Sequence, residues 1–178
     1  MPFGADYQVM NSAVALTALR TLDPEKRISD SLMTQAVLQT KWSGRMQQAV
    51  EGIIFDGAHN PDGVRQLCDA IRQTTREGEA ALLFSAVSDK AYTEMIRELC
   101  GKVRFAYIVV TRIPGGRGVD AGTLAAVFAE CTDAPVCAAE DPKEAFRLAR
   151  DMRKPDQTLF CAGSLYLIGE LEKELEKL

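Results

Sequence analysis

The chain has 178 residues, 47% of them apolar, a net charge of -4 and one histidine. That is the size of one ordinary domain with enough apolar side chain for a sizeable core, while the acidic balance and scattered Lys and Arg argue against a nucleic-acid surface. No apolar run nears the roughly 18 residues of a membrane helix, no leader-like segment opens the chain, and five well-separated cysteines without a C-x-x-C pair indicate neither a zinc site nor a disulfide framework, so a cytoplasmic, reducing setting is expected.

Residues 8 to 22 place Val9, Ala13, Leu16, Leu19 and Leu22 at helical spacing, which predicts an amphipathic helix. A second helix is predicted from Ser29 to Gln39, capped by Ser29 or Asp30, with Leu32, Val37 and Leu38 facing inward. The run KWSGRMQQAVEGIIF follows, its Gly44 and Gly52 bracketing strand-like segments. From there the pattern becomes regular. Short apolar runs at 53 to 55, 81 to 87, 106 to 110, 135 to 139 and 158 to 162 alternate with amphipathic segments at 61 to 75, 91 to 100, 120 to 131, 142 to 153 and 165 to 177. In the first of these helices Val64, Leu67, Cys68 and Ile71 form the stripe; in the fourth, Asp141 is the cap and Pro142 the first helical residue. Strands alternating with helices predict a parallel sheet covered on both faces, because the crossovers must lie on those faces.

The single histidine, His59, lies in DGAHNPDG, which leaves the carboxyl end of the first parallel strand. Ligands of open α/β sheets bind at that edge. Asn60-Pro61 reads as a cap followed by the first helical residue, an arrangement that turns free N–H groups toward the same edge and favours an anion. Three readings of His59 stand at this point. It is a satisfied turn residue beside a cap, a metal ligand together with Asp56 and Asp62, or a ligand contact together with Asp56. Asp62 already has a role as a carboxylate in a helix's first turn, which weakens the metal reading.

Several segments in fixed order carry a resemblance. GADYQVMNSAVALTAL (with Gly4, Gln8, Asn11 and Ala13), KWSGRMQ, IIFDGAHNPDG, SDK and CAGSLYLIGEL together resemble the folylpolyglutamate synthase and dihydrofolate synthase family of the Mur ligase superfamily, over nearly the whole chain. The resemblance implies an ATP-dependent, ADP-forming amide ligase in which a folate carboxylate is activated as an acyl phosphate and attacked by the amine of L-glutamate. Such enzymes carry an amino-terminal ATPase domain with a P-loop and magnesium ligands, and no G-x-x-x-x-G-K-[ST] run occurs here. The resemblance therefore covers the carboxyl-terminal domain, 41 to 178, preceded in 1 to 40 by the terminal helix of the ATPase domain and a linker. The expected partner is that ATPase domain, the cofactors ATP and Mg2+, and neither nucleic acid nor membrane is expected to bind. The expected fold is a Rossmann-like three-layer sandwich, a mostly parallel sheet of about six strands with one antiparallel.

By the same resemblance, Asn11 matches a nucleotide contact. Arg45 matches an arginine that reaches ATP phosphates, a task suited to a planar, permanently charged fork; Ser43 stands where the family usually has proline, which predicts a looser turn. Asp56 matches an aspartate that touches nucleotide beside the incoming glutamate, and His59 lies near the reacting centre, either helping to remove the amine's proton or hydrogen-bonding a carboxylate. Ser164 and Tyr166, after the last strand, match contacts to glutamate; Ser164 equally reads as a helix cap and Tyr166 as partly core. Lys90 matches a recurring position without a role to assign. Arg112 and Arg117, beside the PGG loop, are read first as a solvated loop and second as contacts to an anionic tail. Two rivals stand beside the folate reading: a cell-wall amino-acid ligase of the same superfamily and a non-catalytic α/β binding module.

Overall fold

The computed structural model describes residues 6–40, 42–88 and 91–176. Two helices, α1 (Asp6–Leu22) and α2 (Asp30–Gln39), lead into an alternation of β1 (Gln47–Val50), β2 (Ile53–Phe55), α3 (Pro61–Thr74), β3 (Ala80–Phe84), α4 (Tyr92–Lys102), β4 (Phe105–Val110), α5 (Ala121–Ala129), β5 (Val136–Ala138), α6 (Pro142–Met152), β6 (Thr158–Ala162) and α7 (Leu165–Leu175). The strands form a single sheet in the order β1-β2-β6-β3-β4-β5. All pairings are parallel except β1 with β2, where Glu51 and Gly52 (φ 73°) turn the chain back in a two-residue hairpin and Val50 pairs Ile53.

The central strands bury both faces, which is why they read as unbroken apolar runs rather than as alternation. On β3, Ala80, Leu82 and Phe84 belong to the core under α3, α4 and α5, with Val64, Leu67, Ile71, Met95, Leu99 and Phe128. Ala81 and Leu83 belong to the opposite core under α6 and α7, with Phe146, Ala149, Leu167 and Leu171. Fully burying a side chain of this size contributes roughly 1.5–3 kcal/mol, so each layer holds its helices by several such residues. β3 ends at Phe84, three residues before its apolar run does, because Ala86 and Val87 turn aside to pair with Gly118 and Val119.

This distribution creates a switch point. β3 runs into α4 on one face while its neighbour β6 runs into α7 on the other, and the carboxyl ends of both strands border the crevice between them. Gly163 makes their close approach possible: at φ 101° it sits against the Ser85 carbonyl and the Phe84 ring, where a Cβ has no room.

The first two helices correct the sequence reading. α1 and α2 form where predicted, with Ser29 capping α2 through Leu32 N–H, but their stripes are not covered by this chain's core. Val9, Ala13 and Leu19 are exposed and Leu22 is 78% exposed; on α2 Leu32 and Leu38 are exposed and Met33 is the buried residue. Asp23 fixes the turn between the helices, its carboxylate accepting from Arg27 and Ile28 N–H at 3.0 and 2.7 Å.

Candidate functional site

β2 delivers Asp56 to the carboxyl edge, and Asp56 N–H still bonds Cys161 C=O at 2.9 Å, so the turn starts from a strand-like anchor. Asp56 is 3% exposed, and its carboxylate accepts three hydrogen bonds. Oδ1 takes Ala58 N–H at 2.9 Å; Oδ2 takes Met46 N–H at 2.9 Å and the Tyr7 hydroxyl at 3.0 Å. One side chain thereby ties together its own turn, the β1 hairpin and α1. Burial lifts its carboxyl above the usual carboxylate range, against the pull of those donors and of the Arg45 guanidinium. The Tyr7 phenol is raised well above its ordinary range by burial and then by Asp56.

His59 Nδ1 lies 2.8 Å from Gly57 C=O. A carbonyl only accepts, so Nδ1 carries the hydrogen and, in the neutral ring, Nε2 is left as the basic nitrogen. Asn60 caps α3 as expected, its Oδ1 accepting Gly63 N–H at 2.7 Å with Pro61 in the first helical turn. Asp62 is exposed and pairs with Arg65 at 3.3 Å. No group of three or more His, Cys, Asp or Glu able to hold a metal is assembled among the described residues, so Asp56, His59 and Asp62 do not make one.

The Arg45 turn corrects another expectation. Gly44 and Met46 both have positive φ (68° and 45°), yet the turn is tied on several sides. Gly44 N–H donates to Gln47 Oε1 at 2.7 Å, Gly57 N–H to Gly44 C=O at 2.6 Å, and Ser43 Oγ, with one proton to give, sits within hydrogen-bond reach of both Gln47 Oε1 and Glu172 Oε1. Ser43, where proline was expected, is itself one of these ties. Arg45 itself makes no ion pair with any described residue.

These pieces enclose a cleft of about 490 Å³ lined by Tyr7, Met10 and Asn11 from α1, Arg45, Asp56, His59 and the start of α3. Asn11, Arg45, Asp56 and His59 are thus brought together. Ser164 and Tyr166 are not among the lining residues. Ser164 is buried and caps α7 by accepting Tyr166 N–H at 3.1 Å, while Tyr166 is 61% exposed. Tyr166 instead faces Arg117, whose Nη2 donates to its hydroxyl at 3.1 Å and whose guanidinium carbon lies 5.8 Å from its ring centroid. The Arg117 carbonyl accepts Ser88 N–H, from the segment after β3, at 2.8 Å. Arg112 is exposed. Lys90 falls outside the described residues. Tyr7 was missed by the sequence reading; the available signal was its spacing of four from Asn11, which puts both on one helix face.

A doubly covered parallel sheet with a charged cleft at its carboxyl edge defines an α/β ligand-binding domain. Residues 44–165 match the family described as Mur ligase, glutamate ligase domain, and the chain belongs to it. A dihydrofolate synthase/folylpolyglutamate synthase of Bacillus subtilis is 26% identical over 96% of this chain and 39% of its own length. A folylpolyglutamate synthase of Lacticaseibacillus casei is 27% identical over 98% of this chain and 40% of its own. In fold, the chain matches a Mycobacterium tuberculosis folylpolyglutamate synthase crystallised with ADP and AMPPCP, at a TM-score of 0.87 and 19% identity, covering 98% of this chain and 41% of that one. The chain thus spans about two-fifths of the length of these relatives. No helix among the described residues is long and apolar enough to cross a membrane.

Proposed function

We propose that residues 41 to 178 are the carboxyl-terminal domain of an ATP-dependent, ADP-forming ligase that adds L-glutamate to folates through an acyl phosphate, and that residues 1 to 40 supply the terminal helix of its ATPase domain and the linker. The observation that carries this reading is the single cleft gathering Asn11, Arg45, Asp56 and His59 where α1 meets the sheet's carboxyl edge. The named activities of the relatives, whose length this chain covers by about two-fifths, support it. So does the uncovered apolar stripe of α1, where Val9, Leu19 and Leu22 are exposed: a helix of an upstream domain has its cover in that domain.

The residues present fit part of a nucleotide. Arg45, free of ion pairs among the described residues, suits phosphate oxygens, the α3 start adds N–H groups, and Asn11 offers an amide to the base or sugar. ATP, when bound, supplies the phosphoryl group that activates the acceptor carboxylate. Mg2+ is assigned to ligands of the ATPase domain. His59, with Nε2 basic, takes the amine's proton or holds a substrate carboxylate, and Ser164 and Tyr166 receive glutamate. Five free cysteines accord with a cytoplasmic setting.

The test is ADP release by the protein extended through its ATPase domain, given ATP, magnesium, L-glutamate and a reduced folate, in wild type and His59→Ala. Release that requires both substrates and falls at least a hundredfold in the variant supports the reading; dihydropteroate in place of folate scores dihydrofolate synthesis. Release unchanged in the variant returns His59 to a turn role. No release with folate, but release with a nucleotide-linked sugar acid, moves the chain to cell-wall ligation, and none with either favours a binding module. The 178-residue chain alone should release almost no ADP, because phosphoryl transfer needs phosphates and metal held in line.

A further inference from the structure

We propose that Tyr7 stands in for a nucleotide's ribose hydroxyl: in the nucleotide-free protein its phenol occupies the Asp56 acceptor that a ribose O–H takes on binding, so nucleotide must displace it. The inference rests on the nucleotide reading of the cleft.

Asp56 is almost completely buried, so its three donors are what keep the carboxylate satisfied. Two of them are backbone N–H groups of Met46 and Ala58, fixed by the β1 hairpin and by the turn itself. Neither leaves without unfolding the site. The third is a side-chain hydroxyl from α1, 49 residues away in sequence, and a rotation about the Tyr7 side chain removes it. Tyr7 is half-buried and lines the cleft one turn before Asn11, so it stands between Asp56 and anything occupying that space. The chemistry of exchange is balanced: a phenol O–H and a ribose O–H are both neutral donors, and swapping them on Oδ2 keeps the carboxylate's bonds at three. An anionic ligand group, which only accepts, would not make that exchange. Among the described residues that line the cleft, Tyr7 is also the one whose hydroxyl meets Asp56.

The experiment measures affinity for ADP by calorimetry in the protein extended through its ATPase domain, wild type against Tyr7→Phe. Phenylalanine keeps the ring and removes the donor, so nucleotide no longer competes. ADP should bind roughly three- to tenfold more tightly to the variant, while the KM for glutamate stays put and the nucleotide-free variant unfolds at a lower temperature. The gain should disappear with 2′,3′-dideoxy-ADP, which has no ribose hydroxyl to make the exchange. In wild type, the ring resonance identified by its loss in Tyr7→Phe should shift when ADP saturates. Unchanged or weaker ADP binding in the variant, an equal gain with the dideoxy nucleotide, or a Tyr7 resonance that ignores ADP overturns the proposal and leaves the nucleotide reading intact. Wild type that binds no ADP takes down both.

Discussion

Gly163→Ala is the sharpest test of how the crevice is held. At φ 101° an alanine lies in a region that costs an L residue about 1–2 kcal/mol. Its Cβ would stand inside the contact distance of the Ser85 carbonyl and 2.7 and 2.9 Å from two carbons of the Phe84 ring. Neither neighbour yields easily: Ser85 N–H is bonded to Ala162 C=O at 3.2 Å, and Phe84 is fully buried and stacked edge-on with Phe128. Overpacking of this kind adds about 1–3 kcal/mol, for a total loss of about 2–5 kcal/mol. Gly169→Ala in α7 is the control, since a Cβ there meets nothing within 4 Å and alanine is the better helix former by about 1 kcal/mol. Urea unfolding followed by circular dichroism should therefore move the midpoint down for Gly163→Ala and slightly up for Gly169→Ala, with unchanged slopes. Equal midpoints for wild type and Gly163→Ala would mean that β3 and β6 separate freely at their carboxyl ends, and the account of the crevice would be wrong.

Asp56 gives a pH signature. Its carboxyl is raised by burial, so above the unfolded carboxylate value near pH 4 the unfolded chain releases a proton that the native state still holds; the Asp56 contribution is complete below that pH and is lost as pH rises through the raised native value. Unfolding free energies measured upward from about pH 4 should show this decline in wild type and a flatter line in Asp56→Asn. Arg45→Lys keeps the charge and loses the fork; apparent ATP affinity or turnover should fall by about ten- to a hundredfold, with stability within about 0.5 kcal/mol because no ion pair with a described residue is broken. Arg117→Ala removes the donor and the stacked cation beside Tyr166. The KM for glutamate should rise several-fold while that for ATP does not move, and a melting curve should show a loss under about 1 kcal/mol.

The sheet was legible because β3, β4 and β6 are too apolar and too short to be anything but strands buried on both faces, and because Asn60-Pro61 and Asp141-Pro142 mark helix starts by their chemistry. The stripes of α1 and α2 were equally visible, but periodicity reports that a face is apolar, not what covers it, and Leu22 and Leu38 show the difference. In the candidate site, Asp56 and His59 were singled out from one local turn, and both line the cleft. Tyr7 was not, since its partner lies 49 residues on and nothing in a helical YQVMN announces a buried carboxylate. Ser164 was read both as a glutamate contact and as a cap, and the cap is formed, whereas Tyr166 meets Arg117 across a loop whose path no spacing rule gives.

The strand order has a consequence for synthesis. β6 lies between β2 and β3, so the last strand made is the one that joins the two parts of the sheet. While a ribosome has released only the segments through β5, the hairpin β1–β2 and the trio β3–β4–β5 each present an unpaired parallel edge with apolar faces, the kind of surface that recruits foreign strands. Closure waits for residues 158 to 162 to emerge, more than a hundred residues after β2, and contacts of that sequence separation form slowly. A chain stopped short of β6 would lack the centre of its sheet and one wall of its crevice at once, so the two parts of the sheet stay apart until that strand is in place.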